Sequence, residues 1–505
     1  MRNIQATYVR TLLAGVATIA LAVPAFAADT KADARDARLN ALEQKLDALL
    51  SEISELKKEA AADKAENAAL QSQVVDLKRA QTAAYADVQA QRASDAKLTI
   101  NNLRPTFTSA DGKFSVALRS LVQFDSSYFI QDGRAASGTD LSSGTNFRRL
   151  RFGADGKAFG DWSYSVLIDF GGSGTEGARV ADGYIQYDGF APFHIRSGAF
   201  ATPQGIDDQT SAADILFLER AGPADLARSL AGADGRKNFL NIFAYDTDYY
   251  VSAAWSAARA ADPAVFDSQQ ALVGRAAYRV YKDANTNVLL SAGGNYIFKI
   301  PDAAASPAGA STITLQEGPE NTVDGTRLIT SGAINAKDVK TWGLEAAANL
   351  KNVYVQGGYF GYSVARRAST LPNPNFNGHY AQASWILTGE SKPYNTATAA
   401  WGSPRPAKAV GSGGIGAFEL VGRYSLTDLN FNEGLVGANT PAAAGAIRGG
   451  VQKGYTAGLN WYPNGVIRLL FDYQHLDINR IGTTTPFKQI GQDVDILTAR
   501  AQLSF

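Results

Sequence analysis

Arginines stand beside apolar residues in alternating runs along this chain: Arg119 after Leu118, Arg149 and Arg151 around Leu150, Arg468 between Ile467 and Leu469, Arg500 between Ala499 and Ala501. Arg196, Arg275, Arg279 and Arg423 occupy similar settings. A guanidinium stays charged at physiological pH and presents a planar fork of donors that matches carboxylate or phosphate oxygens. Side chains two residues apart share one face of a strand. If the apolar alternates face outward, these arginines share one interior and can pass an anion along a wall. Avoidance explains the same pattern, because a charge on a lipid-facing surface costs about 2–4 kcal/mol near the midplane. Asp125, Asp169, Asp182, Glu419 and Asp472 fall on the same faces. Arg220, Arg228 and Arg236 lie instead in a long loop, Thr202 to Arg236. They either line a constriction or pair with Asp214, Glu219, Asp225 and Asp234.

Other chemistries are poorly represented. The histidines are His194, His379 and His475, and there is no Cys, no Gly-x-Ser-x-Gly and no Gly-x-x-x-x-Gly-Lys, so no nucleophile with its base and no phosphate-binding loop is expected. No His and carboxylate spacing suggests a metal site, and no cofactor is expected. Formal net charge is zero, with 48 basic and 48 acidic residues, so no global field draws in nucleic acid. Any charge preference must come from placement.

The elements that position the arginines change period along the chain. Arg2 and Arg10 precede an apolar stretch from Leu12 to Val23, followed by Ala25-Phe26-Ala27. This reads as a signal peptide over 1–27. No other apolar run reaches the ~20 residues of a membrane helix. From Leu39, apolar residues at Leu42, Leu46, Leu49, Ile53, Leu56 and Ala60, then Leu70, Val74 and Leu77, follow a heptad seam. That seam predicts an α-helical coiled coil over 28–97, with Asp63 and Asn67 as polar seam residues that can fix register. A solitary charged helix or stalk is the plainer alternative. Residues 98–113 read as a linker.

From Phe114 to Phe505 the period is two, in about sixteen segments near the 9–11 residues of a tilted membrane strand. The last runs Leu497, Ala499, Ala501, Leu503, Phe505 and ends at an aromatic. Tight turns at Gly156 to Gly160, Gly189 to Pro192, Asp246 to Asp248, Asp283 to Asn285, Lys351-Asn352 and Pro463-Asn464-Gly465 alternate with longer segments. A barrel with short periplasmic turns and long outer loops has this asymmetry. The fold class expected over 114–505 is an all-β transmembrane barrel of about 16 antiparallel strands. The linker from Gly389 to Gly413 is long although its parity is periplasmic. Pro301 to Ala336 is a second long outer loop. In an open lumen of this strand number, an inward-folded loop is the simplest way to narrow the passage.

Phe147-Arg148-Arg149-Leu150-Arg151-Phe152-Gly153, with Gly160-Asp161-Trp162 and Asp182-Gly183-Tyr184, resembles the first hairpins of the phosphate- and polyphosphate-selective porin family. Phe200-Ala201-Thr202-Pro203-Gln204-Gly205 with Phe217-Leu218-Glu219-Arg220 resembles its third-loop entrance, and Leu387-Thr388-Gly389-Glu390 before Pro393-Tyr394 resembles its most recognisable internal motif. The resemblance spans Gly112 to Phe505. It implies an outer-membrane homotrimer of sixteen-stranded barrels, each constricted by inward loops and a long periplasmic turn. It also implies lysines at the narrowest point, partly from the loop corresponding to Pro301–Ala336. Here Arg327 is that loop's one basic residue, against Glu317, Glu320 and Asp324. This departure favours a broader anion or small-solute pore, lined by Arg119, Arg149, Arg151, Arg196, Arg220, Arg228, Arg275, Arg279, Arg423, Arg468 and Arg500. The rival expectation is a structural protein, anchored in outer-membrane lipid by its barrel and reaching the cell wall through a periplasmic coil.

Overall fold

A computed structural model describes residues 41–52, 78, 80–82, 97–101, 104–131, 139–172, 177–231, 236–257, 267–302, 312–438, 443–482 and 486–505. The signal-peptide stretch 1–27 and most of the heptad region lie outside them. Residues 41–52 are helical, with Leu42, Leu46 and Leu49 exposed. This N-terminal unit is separate from the one that begins at Arg92. Among the described residues, no helix is long and apolar enough to cross a membrane.

The second unit is built on one sheet of eighteen strands. A short hairpin comes first, β1 (Lys97–Asn101) and β2 (Arg104–Thr108). The wall follows as β3 (Ser115–Gln131), β4 (Gly144–Ala158), β5 (Trp162–Asp169), β6 (Arg179–Phe190), β7 (Phe193–Ala201), β8 (Arg236–Tyr245), β9 (Tyr249–Ser256), β10 (Gln270–Lys282) and β11 (Thr286–Lys299). Two-stranded ribbons, β12 (Gln316–Glu317) with β13 (Ile329–Thr330) and β17 (Tyr394–Asn395) with β18 (Ala400–Trp401), sit in the long loop and the long turn. The remaining wall strands are β14 (Ala336–Leu350), β15 (Val353–Arg366), β16 (Asn375–Ile386), β19 (Ala417–Phe431), β20 (Ile447–Tyr462), β21 (Ile467–Ile481) and β22 (Gln489–Ser504).

Sixteen antiparallel strands close into a barrel where β22 pairs β3, from Val494↔Gln131 to Ser504↔Leu121. Phe505 completes the seam: its N–H donates to Ser120 O at 3.1 Å, and the Ser120 N–H returns a bond to Phe505 O at 2.9 Å. Closure leaves no unpaired edge between wall strands, which a membrane wall requires. The tight turns expected from the sequence all join neighbouring strands. The β1–β2 hairpin falls in the stretch read as a linker, except for Lys97, which was assigned to the coiled coil, and it pairs with the foot of β3.

Alternation sets the two faces. On β21, Ile467, Phe471 and Tyr473 face outward while Arg468, Asp472 and Gln474 are buried inward. Towards the outer end the polarity inverts without a change of register. Leu476 and Ile478 of β21 and Val494 and Ile496 of β22 turn inward, while His475 bonds Asp495 at 2.8 Å and Lys453 pairs with Asp477 at 3.1 Å. The inward apolar residues join a core built on the helix Gly222–Ala231 and on Leu315, Leu328 and Ile329 of the second long loop. Both long outer loops therefore fold into the lumen, as expected for narrowing it.

Candidate functional site in the barrel lumen

Irregular backbone carried into a lumen must find partners for its carbonyls. The segment before Arg220 finds them on the wall. Arg468 donates to Ala213 O at 3.1 Å, Ile215 O at 2.8 Å and Leu216 O at 2.9 Å. Arg500 donates to Leu218 O at 2.7 Å, and Arg423 to Glu219 O at 3.0 Å. Gln123 and Gln502 reach Ala212 O and Ala213 O. Opposite, Arg275 donates to Thr398 O and Ala399 O at 2.6 and 2.8 Å, holding the long periplasmic turn inside.

Glu219 is the charged centre of this anchor. Gln123 faces Arg149 and Phe124 faces Phe147, so Arg148 is an extra residue in β4, a bulge. A bulge re-aims a side chain, and here Arg148 and Arg149 both reach the lumen. Arg148 makes a forked pair with Glu219 at 2.7 and 3.1 Å, Arg149 reaches it at 3.1 and 3.3 Å, and Arg500 at 3.3 Å. Arg500 also forks onto Asp125, with both contacts at 2.6 Å. Burial pushes the Glu219 carboxyl up, but the guanidinium groups of Arg148, Arg149 and Arg500 override it and hold the carboxyl well below its ordinary range.

The second long loop docks through its acids. Glu320 accepts from the Gly222 N–H at 2.8 Å and pairs with Arg423 at 2.8 Å. Glu317 accepts from Gln452 at 2.9 Å, and burial raises it to about 8, so it is neutral at pH 7. A Cβ on Gly222 would lie 1.6 Å from Glu317 Oε1, so a larger residue there would have to push the Glu317 carboxyl aside. Arg327, the loop's one basic residue, is exposed. The periplasmic turn is fastened by a fully buried pair, Lys392 to Glu419 at 2.9 Å, and Asp214 accepts from the Ser403 N–H at 3.0 Å.

These inserts leave a cavity of about 580 Å³ against the inner faces of β3 to β7. Arg104, Arg119, Arg151, Arg196, Arg220 and Arg405 line it, with Asp182, Asp208 and Asp214 as its acidic residues. Arg119 pairs with Asp182 at 3.0 Å and Asp155 at 3.4 Å, and Arg151 with Asp169 at 2.8 Å. Arg196 lies over the Tyr184 ring at 4.4 Å and donates to Gln186. Arg220 donates to Asp207 O and Thr210 O, both at 2.8 Å. Arg228 pairs with Asp225 at 2.7 Å, and Arg279 at the periplasmic rim with Asp248 at 3.2 Å. Burial raises Asp208 to about 7, against the pull of Arg228 and Arg220.

All the strand arginines singled out from the sequence thus project inward. They do not form one water-facing ladder. Arg149, Arg275, Arg423, Arg468 and Arg500 are nearly fully buried and grip the inserted segments, because irregular backbone and buried carboxylates sit within their reach. The side chain of Arg236 lies outside the described residues. Sequence reasoning missed Arg148 and Glu219 as a forked pair, Lys392, and the two cavity arginines Arg104 and Arg405. The doubled arginine after Phe147 was the available signal for the bulge.

The family model for phosphate-selective porin O and P matches residues 122–505. The chain belongs to this porin family. Porin O of Pseudomonas aeruginosa is 26% identical over 388 residues, covering 74% of this chain and 85% of that one. An uncharacterized protein of Caulobacter vibrioides is 26% identical over 417 residues, covering 79% and 76%. A solved anion-selective porin from Comamonas acidovorans is 13% identical with a TM-score of 0.47, covering 78% of this chain and 100% of that one. The porin is an outer-membrane β-barrel channel, and its lumen is the place to look for solute contacts.

Removing the Glu219 charge tests the anchor. Glu219→Gln takes its carboxylate from the buried guanidinium of Arg149, at a cost of about 3–5 kcal/mol. The expected result is faster proteolysis within 202–221 and a larger, noisier single-channel conductance. The charge pair works over a wide pH range: a depressed carboxyl contributes stability above its unfolded value and loses it only as pH falls through the folded one. The wild-type anchor is therefore insensitive to pH between 5 and 8. Wild-type conductance and protease resistance in the variant would remove Glu219 from this role.

Proposed function

We propose that this porin passes small anions across the outer membrane by passive diffusion, with a broad preference for phosphate-like oxyanions rather than dedicated phosphate selectivity. The cavity beside β3 to β7 carries the reading, because six arginines line it against three aspartates. The family's phosphate-selective description and the name of the anion-selective porin agree with that sign. The exposed Arg327 and the docking roles of Glu317 and Glu320 support breadth, since that loop brings no cluster of cations to the passage.

Charge reversal at cavity arginines outside the Glu219 anchor tests this. In Arg196→Glu with Arg405→Glu, the anion-to-cation permeability ratio from reversal potentials in a planar bilayer should fall several-fold. That corresponds to about 1 kcal/mol per screened charge. Folding is checked by heat-modifiable migration. An unchanged ratio returns the protein to an unselective diffusion pore.

The same reading predicts a pH effect. As pH rises through about 7, Asp208 gains a negative charge inside the cavity. Anion preference should decline between pH 6 and pH 8 in the wild type and decline less steeply in Asp208→Asn. Equal slopes in the two proteins would reject Asp208 as the titrating group.

Assembly belongs to this proposal as well. Three barrels side by side bring three amino termini together beneath the membrane. The exposed leucines of 41–52 then find partners in a parallel trimeric coil over 28–97, projecting into the periplasm and able to touch the cell wall. Native mass measurement should give a trimer, with a monomer or dimer as the contrary result. Deleting 28–97 should leave conductance intact, whereas a purely structural tether would show no conductance with either chain.

A further inference from the structure

The β1–β2 hairpin precedes the family-matched region, which begins at residue 122. It is nevertheless part of the barrel wall. β22 ends at the level of Ser120 and Leu121, and below that point β2 takes over the same edge of β3, pairing Thr106↔Ala117, Phe107↔Val116 and Thr108↔Ser115. The alternation continues the wall's sense. Phe107 is exposed on the outward row with Val116, opposite Leu98 of β1, while Arg104 belongs to the inward row with Thr106.

Arg104 is the one basic side chain that the hairpin contributes to the cavity lining. It is pinned there: Nε donates to Leu118 O at 2.7 Å, and Nη2 donates to Ala117 O at 3.3 Å and to Asp155 Oδ2 at 2.5 Å. Asp155 also takes Arg119 at 3.4 Å and the Ser165 hydroxyl at 2.8 Å. Two guanidinium groups therefore share Asp155, and Arg119 divides itself between Asp155 and Asp182. With Arg104 in place, Arg104 and Arg119 face Asp155 and Asp182, and the local charges balance. Without it, Arg119 alone faces the two carboxylates, and the balance turns negative.

We propose that the hairpin completes the periplasmic mouth of the pore, and that Arg104 is a selectivity-determining residue which offsets Asp155 there and so keeps the mouth from repelling anions. This rests on the anion-diffusion reading above, and deepens it by adding a cation from outside the family-matched segment. The carbonyl bonds to Ala117 and Leu118 fix the side chain while its charge is set against Asp155, and both groups are about a third exposed, so a passing anion meets a balanced pair in partly screened solvent.

The test uses the full-length porin in planar bilayers under a potassium chloride gradient and, separately, with phosphate as the anion. Arg104→Gln should lower the anion-to-cation permeability ratio about two- to fivefold. Arg104→Lys keeps the charge without the fork and should stay near the wild-type ratio. Asp155→Asn acts with the opposite sign and should raise the ratio, which keeps the test open where the glutamine variant does not fold. A wild-type ratio in Arg104→Gln and Asp155→Asn, while Arg196→Glu with Arg405→Glu loses selectivity, overturns the role of Arg104 and leaves anion diffusion standing. Equal losses in the glutamine and lysine variants overturn the charge role in favour of simple positioning of the hairpin. An unselective wild type removes the underlying reading, and this inference with it.

Discussion

An unpaired carbonyl inside a barrel has to be met by a donor, and that requirement organises this lumen. A sixteen-stranded wall encloses more space than its own side chains fill, so loops enter. The entering segment Ala212 to Glu219 has no wall of backbone donors beside it. Guanidinium groups meet the need well, because each carries five N–H donors in a rigid fork. Arg468 alone holds three successive stretches of the segment, at Ala213, Ile215 and Leu216. Glu219 then adds a charge whose desolvation is offset by Arg148, Arg149 and Arg500. Loss of either side would strand a buried ion, which is why anchor and wall must be read as one interaction.

A division of labour follows around the circumference. Where the inserted segments touch the wall, at β19, β21, β22 and the bulged β4, inward arginines serve as fasteners. Along β6, β7 and the part of β3 before Gln123, a cavity opens between inserts and wall, and Arg119 and Arg196 border it. The position of the loop, rather than the residue type, decides which arginines a solute can meet. The polarity inversion at the outer ends of β21 and β22 belongs to the same arrangement. Once loops fill the outer lumen with apolar side chains, the inner face there must be apolar as well, and the outer face, carrying His475, Asp477 and Asp495, suits water better than acyl chains.

The wall was legible in the sequence because its information is local. Period two fixes the faces, and turn residues fix the reversals. Sixteen strands and the long turn near Gly389–Gly413 follow from such local signals, whereas the inward folding of Thr202–Arg236 and Pro301–Ala336 was implied by the family resemblance and left open by the residues themselves. The partners inside were not legible. Leu218 meets Asp472 and Arg500 across more than 250 residues of chain, and nothing in either neighbourhood marks the match. Glu219 looked like an ordinary loop acid. The hairpin passed for a linker because its five-residue strands, Lys97–Asn101 and Arg104–Thr108, are shorter than a membrane strand and gain their place only by continuing the edge that β22 leaves.

Fastening and attraction need not compete for the same arginine. A carbonyl accepts hydrogen bonds but carries no formal charge, so an arginine held by carbonyls keeps its full field. Among the described residues, Arg220, Arg275 and Arg468 are held mainly by backbone carbonyls and have no carboxylate within ion-pair distance. Arg149 and Arg500 differ, because carboxylates lie directly against them. Charges that border a low-dielectric wall are weakly screened over a few ångströms, and a cleft lined by one sign concentrates ions of the other. The carbonyl-held group can therefore bias the lumen toward anions while contributing no exposed binding site. In this barrel, the backbone that narrows the passage fastens these arginines without itself taking up their charge.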